Sequence, residues 1–164
     1  MKCHCCSIRF TLTALVALAI ATPLAAGEQV PFRGRLEGIV ATVTPLTPPF
    51  VAVTLEGEGH ATQLGHFDVS SSIVANEADG TAVGTYEFTA ANGDTLSADF
   101  TGQSMPTATL GVISITETAT IKGGTGRFDG ATGSFTSERT YDTFLGTTTG
   151  SFKGTLSSPG TGSP

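Results

Sequence analysis

Tyr86-Glu87-Phe88-Thr89-Ala90-Ala91-Asn92-Gly93-Asp94-Thr95-Leu96-Ser97-Ala98-Asp99-Phe100 is the stretch that decides the fold. Apolar and polar residues alternate on both sides of an Asn-Gly pair, the mark of two half-buried strands joined by a short turn. Two registers compete. A two-residue Asn-Gly turn sets Phe88 against Ser97 and Tyr86 against Asp99, which mixes the faces. With Ala90 opposite Asp94, Phe88 meets Leu96, Tyr86 meets Ala98 and Gly84 meets Phe100. All the apolar side chains then share one face, while Glu87, Ser97 and Asp99 take the other. The spacing therefore predicts a three-residue loop with a glycine bulge.

The same alternation recurs along the chain, and no helical period is sustained. Eight strand-like runs follow one another, at about 32–43, 50–58, 65–75, 81–90, 95–103, 112–122, 133–142 and 148–157. Glycine, proline and asparagine separate them. Further glycines fall inside the runs, at Gly34, Gly38, Gly57, Gly84, Gly102 and Gly154, where each weakens a flat strand and favours a bend. The expected fold class is all-β, an eight-stranded antiparallel β-barrel. Eight strands enclose an interior just wide enough to be filled by side chains or to hold one small ligand.

The first 27 residues read differently. Lys2 and Arg9 precede an apolar run from Phe10 to Ala21, and Thr22-Pro23-Leu24-Ala25-Ala26-Gly27 closes it. That order is the secretory signal pattern. The expected organisation is a signal peptide over 1–27, one barrel domain over 28–156 and a disordered tail over 157–164. The expected location is secreted or extracytoplasmic. Cys3, Cys5 and Cys6 all lie in the leader, so the Cys3-His4-Cys5-Cys6 tract cannot serve a mature chain, and no disulfide supports the fold.

Without Lys2 and Arg9, six basic residues face fourteen acids, a net charge near −8. Such a surface is a poor partner for nucleic acid, and no membrane contact is expected after the leader is removed.

The second hairpin carries the sharpest chemistry. Ile113, Ile115, Ala119 and Ile121 share a face with Glu117, and Phe135 and Tyr141 share one with Arg139. Pairing symmetric about Phe128 sets Ile121 opposite Phe135, Ala119 opposite Ser137 and Glu117 opposite Arg139. An acid and a base then meet on an otherwise apolar face. With Tyr141 beside them, Glu117 and Arg139 are weak catalytic candidates, able to orient a ligand or exchange a proton. They also read as a structural ion pair, since such pairs are common inside folds. The predicted ligand pocket is Tyr86, Phe88, Phe100, Ile115, Glu117, Phe135, Arg139 and Tyr141.

No other motif carries chemistry. His60 and His66 have the parity of outward residues, and two histidines, even with Asp68, make a weak metal site, so no metal and no cofactor are expected. Ser70 to Ser72 and Ser104 lack a nucleophile elbow. The glycines after Lys122 join two strands and precede no helix, which excludes a phosphate cradle.

The turn Gly123-Gly124-Thr125-Gly126-Arg127-Phe128-Asp129-Gly130-Ala131-Thr132-Gly133 resembles the glycine-rich turn of the allene oxide cyclase and dirigent barrels. Gly59-His60-Ala61-Thr62-Gln63-Leu64-Gly65-His66-Phe67, with the Asn92-Gly93 hairpin, is similar to small secreted bacterial proteins with an allene-oxide-cyclase-like barrel. The resemblance implies a central cavity and a homo-oligomer, a trimer as in the plant relatives. The matched residues are turn residues, so it assigns no active site.

The leading expectation is a secreted, non-catalytic barrel that binds a small apolar, aromatic or phenolic ligand, or serves as an exported structural module. The alternative is an isomerase or dirigent-like protein steering a reactive lipid or phenolic intermediate. Cavity volume separates them from a filled barrel. An interior packed by Phe88, Phe100, Phe135 and Phe152 leaves no room, whereas about 300 Å³ admits a ligand.

Overall fold

The computed structural model describes residues 28–157, and the leader, its cysteine tract and the tail beyond Ser157 lie outside the described residues. Eight strands follow in chain order: β1 (Gln29–Pro45), β2 (Phe50–Ala61), β3 (Gly65–Asn76), β4 (Thr81–Ala90), β5 (Thr95–Pro106), β6 (Val112–Gly124), β7 (Gly133–Asp142) and β8 (Thr147–Ser157). Each pairs antiparallel with the next, and β8 returns to pair with β1, so the sheet closes into a barrel. Closure leaves no edge strand with unpaired backbone groups. Ser157, expected in the tail, belongs to β8: its N–H donates to the Thr132 carbonyl, and its Oγ accepts from the Thr132 N–H.

The Asn92-Gly93 hairpin has the predicted register, with Phe88 opposite Leu96 and Tyr86 opposite Ala98. Ala90 donates to the Asp94 carbonyl at 2.9 Å, and Gly93 takes the left-handed conformation that the bulge requires (φ 88°).

The β6–β7 register differs from expectation by two residues. Ile121 pairs with Gly133, Ala119 with Phe135, Glu117 with Ser137, and Ile115 with Arg139. The turn is not symmetric about Phe128, because β6 runs on to Gly124 and pairs there with β5. Residues Gly126–Phe128 form a short 3₁₀ turn that buries Phe128. Side-chain volume favours the observed register. The expected one sets Ile121 against Phe135 inside the barrel, whereas the observed one matches Phe135 with a small residue.

Small-against-large pairing is the rule of this interior. Gly34 lies opposite Phe152, Gly84 opposite Phe100, and Gly154 opposite both Phe32 and Phe135. A Cβ added at Gly34 would come within 2.5 Å of the Phe152 ring. The rings need the space that glycine leaves, which explains glycines inside strands better than bending alone.

Large rings fill one half of the barrel. Phe32, Phe67, Phe88, Phe135 and Phe152 pack at centroid distances of 5.0 to 6.4 Å. Leu96, Phe128 and Leu156 are buried beneath the turns at that end. Arg127 lies over the Phe128 ring, 4.9 Å from its centroid, and donates to the Leu64 carbonyl. This end, with the loops 62–64, 91–94 and 125–132, is closed. The other end, with the loops 46–49, 77–80, 107–111 and 143–146, is open.

Candidate functional site

Strand parity turns Glu117 and Arg139 inward at mid-height, where the packed half ends. A charge buried among rings must be paired to be tolerated. The side chains are 1% and 5% exposed and meet in a two-pronged pair. Arg139 Nη2 donates to Glu117 Oε1 at 2.7 Å, and Nε donates to Oε2 at 3.2 Å. The Tyr86 hydroxyl, from β4 two strands away, also donates to Oε2. Arg139 Nη1 donates to Thr148 Oγ1 at 3.2 Å, and Thr148 in turn donates to the Thr140 carbonyl at 2.8 Å. A polar layer thus crosses the barrel from β4 to β8.

Two glycines make room for this layer. Gly102 lies opposite Glu117, and Gly150 lies opposite Arg139. A Cβ at Gly102 would sit 2.8 Å from Glu117 Cγ, and one at Gly150 would sit 2.4 Å from Arg139 Cβ. The acid and base are diagonal neighbours across β6 and β7, a separation that long side chains span.

Burial raises the Tyr86 phenol above its ordinary value, and the nearby Glu117 carboxylate raises it further. Tyr86 therefore stays a donor at neutral pH. Burial alone would lower Arg139, but its hydrogen bond to Glu117 and the charges around it outweigh that, and the guanidinium is held more firmly protonated. Ser71 and Ser137, the cross-strand neighbours of Tyr86 and Glu117, are buried with no partner for their hydroxyls.

Beyond the polar layer the barrel is hollow. A cavity of about 370 Å³ opens toward the mouth. Its walls are largely aliphatic, with Val51, Val53, Leu55, Ile73, Ile113 and Ile115 among them, and Glu117 and Arg139 form its floor. Asn76, Glu77, Gln103 and Ser104 line its upper part. The volume lies within the range of small-molecule sites. A shallower groove on the outer wall, bearing Arg35, Glu37, Glu58 and His60, mixes solvated charges of both signs and encloses nothing.

Of the predicted pocket residues, Ile115, Glu117, Arg139 and Tyr141 line the cavity. Phe88, Phe100 and Phe135 lie in the packed half, and Tyr86 lies beneath the floor with its hydroxyl in the polar layer. Tyr86, not Tyr141, is the tyrosine bonded to Glu117. Thr148 and the valines of β2 were not among the predicted pocket residues, although strand parity points all of them inward. His60 and His66 are exposed cross-strand partners with rings 5.0 Å apart. Among the described residues, no group of three or more His, Cys, Asp or Glu side chains is arranged to hold a metal ion.

The carboxylate of Glu117 already accepts two bonds from Arg139 and one from Tyr86, which leaves it little acceptor capacity. It is poorly placed to accept a further proton from a substrate. Arg139 has five N–H donors and commits three of them to Glu117 and Thr148, so the guanidinium retains donor capacity at the cavity floor. No family model matches the chain, and comparison with curated proteins and with solved structures likewise gives no match.

Proposed function

We propose that this protein is an exported, non-catalytic barrel whose open half binds a small apolar or aromatic molecule carrying one acceptor oxygen. The observation that carries the reading is the division of the interior: a packed half, a neutral polar floor, and an aliphatic cavity of about 370 Å³ above it. Aliphatic walls favour an apolar body, and the spare donors of Arg139 favour a hydroxyl or carbonyl oxygen at its end. The ion pair cancels its own charge, so the floor does not select an ionised head group. Kinship with the allene-oxide-cyclase-like and dirigent-like barrels belongs to the same proposal. It is supported by the eight-stranded closed topology and the glycine-rich turn, as is the signal-like leader by its sequence.

A second reading, a template or isomerase acting on a lipid-derived or phenolic intermediate, draws on Glu117, Arg139 and Tyr141 all lining the cavity. It requires a free acid or base. The three bonds already made by Glu117 weigh against it.

Calorimetric titration with 1-naphthol tests the binding reading, with the variant Ala75→Phe, which fills the cavity from its β3 wall, beside the parent chain. Saturable one-site binding by the parent, lost in the variant with folding intact, is the expected result. Equal binding by both would place the ligand elsewhere and remove the proposal.

A further inference from the structure

The ten large apolar side chains that stand exposed among the described residues all lie in the open half: Ile39, Val43, Leu46, Phe50, Val74, Val83, Met105, Leu110, Phe144 and Leu145. Those on the loop tips are the most exposed, with Leu110 at 85%, Phe144 at 72% and Leu145 at 73%. Solvent-facing residues of this size are ordinary when scattered, but a concentration at one end marks an interaction site.

The tips are held in place. Phe144 packs over Gly111, where an added Cβ would come within 2.3 Å of its ring. Thr143 donates through both its N–H and its Oγ1 to the Gly111 carbonyl, which locks loops 107–111 and 143–146 together. Val40 N–H donates to the Gly146 carbonyl and ties that pair to β1, whose end carries Leu46. Two neighbouring loops and the outer part of β1 are therefore held together along the mouth.

Charge is segregated in the opposite sense. Arg33, Arg35, Lys122, Arg127 and Lys153, the exposed basic residues, all belong to the closed half. Loops 46–49, 107–111 and 143–146 contain no charged residue. Acids sit beside loop 143–146 and on the fourth loop: Asp142 accepts from the Phe144 and Leu145 N–H groups, Asp79 accepts from Thr81, and Glu77 stands exposed on loop 77–80. The outer wall, by contrast, alternates threonine, serine and acids, as along Glu56, Glu58, Asp68 and Ser70. An apolar phase can thus be entered by the rim and not by the wall.

We infer that the mouth of the barrel docks on a lipid surface of zwitterionic headgroups, with Leu110, Phe144 and Leu145 immersed at the interface. The absence of basic residues from the rim argues against an anionic surface, which polybasic segments would seek. Uncharged aromatic and aliphatic tips on three of the four loops around an opening fit the boundary between headgroups and acyl chains. The sequence-based expectation of no membrane contact averaged charge over the whole surface, whereas the rim is local. This docking does not depend on any ligand in the cavity.

The chain has no tryptophan, so a single introduced one reports its own surroundings. Phe144→Trp at the mouth and Asp129→Trp at the closed end are each mixed with phosphatidylcholine vesicles. Docking by the rim shifts the Phe144→Trp emission to the blue and leaves Asp129→Trp unchanged. Adding Leu110→Ser and Leu145→Ser lowers partitioning by about tenfold or more, as loss of two immersed side chains requires. Admixture of phosphatidylglycerol does not strengthen it. Attachment through residues 1–27 would bring the closed end to the bilayer, because β1 starts there, and would shift Asp129→Trp instead. That result overturns the inference, as does an unshifted Phe144→Trp. A concentration-dependent blue shift without lipid, with a doubled mass, would assign the rim to a second copy of the chain and overturn it equally.

Discussion

The two halves of this barrel use the same alternation of inward and outward residues and reach opposite ends. In the closed half, inward positions carry phenylalanine opposite glycine, and the rings interlock. In the open half they carry valine, isoleucine and alanine, which are too short to meet across the barrel. Between the halves lies the layer of Tyr86, Glu117, Arg139 and Thr148, polar on the inside and satisfied almost entirely by its own members. Closure of a sheet therefore does not fill it. Side-chain length at each level decides whether a barrel is a core or a container.

The largest expected effect comes from the packed half. Phe88→Ala removes a fully buried ring in contact with several others and should cost about 3–5 kcal/mol. Ile113→Ala on the cavity wall should cost about 1 kcal/mol, because its side chain is half-buried and faces open space. Urea unfolding of both variants measures the contrast. Equal losses would mean that the open half is packed as tightly as the closed one.

The polar layer comes next. Arg139→Met leaves Glu117 buried without its partner and should cost about 3 kcal/mol, whereas the double variant Glu117→Gln with Arg139→Met should recover much of that loss. Additive losses would contradict a mutually compensating pair.

Tyr86→Phe removes a hydrogen bond to a carboxylate and should cost about 1.5–3 kcal/mol at neutral pH. Its pH dependence has a definite sign. The folded phenol titrates above its ordinary value of 10.0, so the proton is held more tightly in the folded chain. Tyr86 then contributes stability fully below about pH 10, and that contribution is lost as the pH rises further. Unfolding of Tyr86→Phe above pH 10 should show a smaller fall in stability than the parent.

The smallest effect has the opposite direction. Ser71→Ala removes a buried hydroxyl with no partner and should be neutral or stabilising by up to about 1 kcal/mol. A clear destabilisation would show that the hydroxyl finds a partner in solution.

How much of this was legible in the sequence varied with the physics behind each feature. The strands and the Asn92-Gly93 register followed from alternation, because slipping that hairpin by one residue would turn Phe88 and Tyr86 outward. The inward position of Glu117 and Arg139 followed from the same parity. Their register did not, because an eleven-residue turn fixes pairing by its internal conformation, here a 3₁₀ turn and β6 residues borrowed by β5. The tyrosine beside Glu117 reads as Tyr141 in the sequence because its nearness to Arg139 along β7 is visible, whereas Tyr86 reaches Glu117 from β4, two strands away. Glycine opposite phenylalanine was present in the sequence, but it acquires meaning only once strands are paired. The cavity was least legible, since emptiness depends on how far short side chains fall from one another.

The division into a filled and a hollow half is tested most directly by methyl NMR during titration with 1-naphthol. Saturable shifts at Val51, Val53, Ile113 and Ile115, with Leu96 and Leu156 unmoved, are the predicted outcome. Shifts confined to outward-facing methyls, or none at saturating ligand, would contradict it.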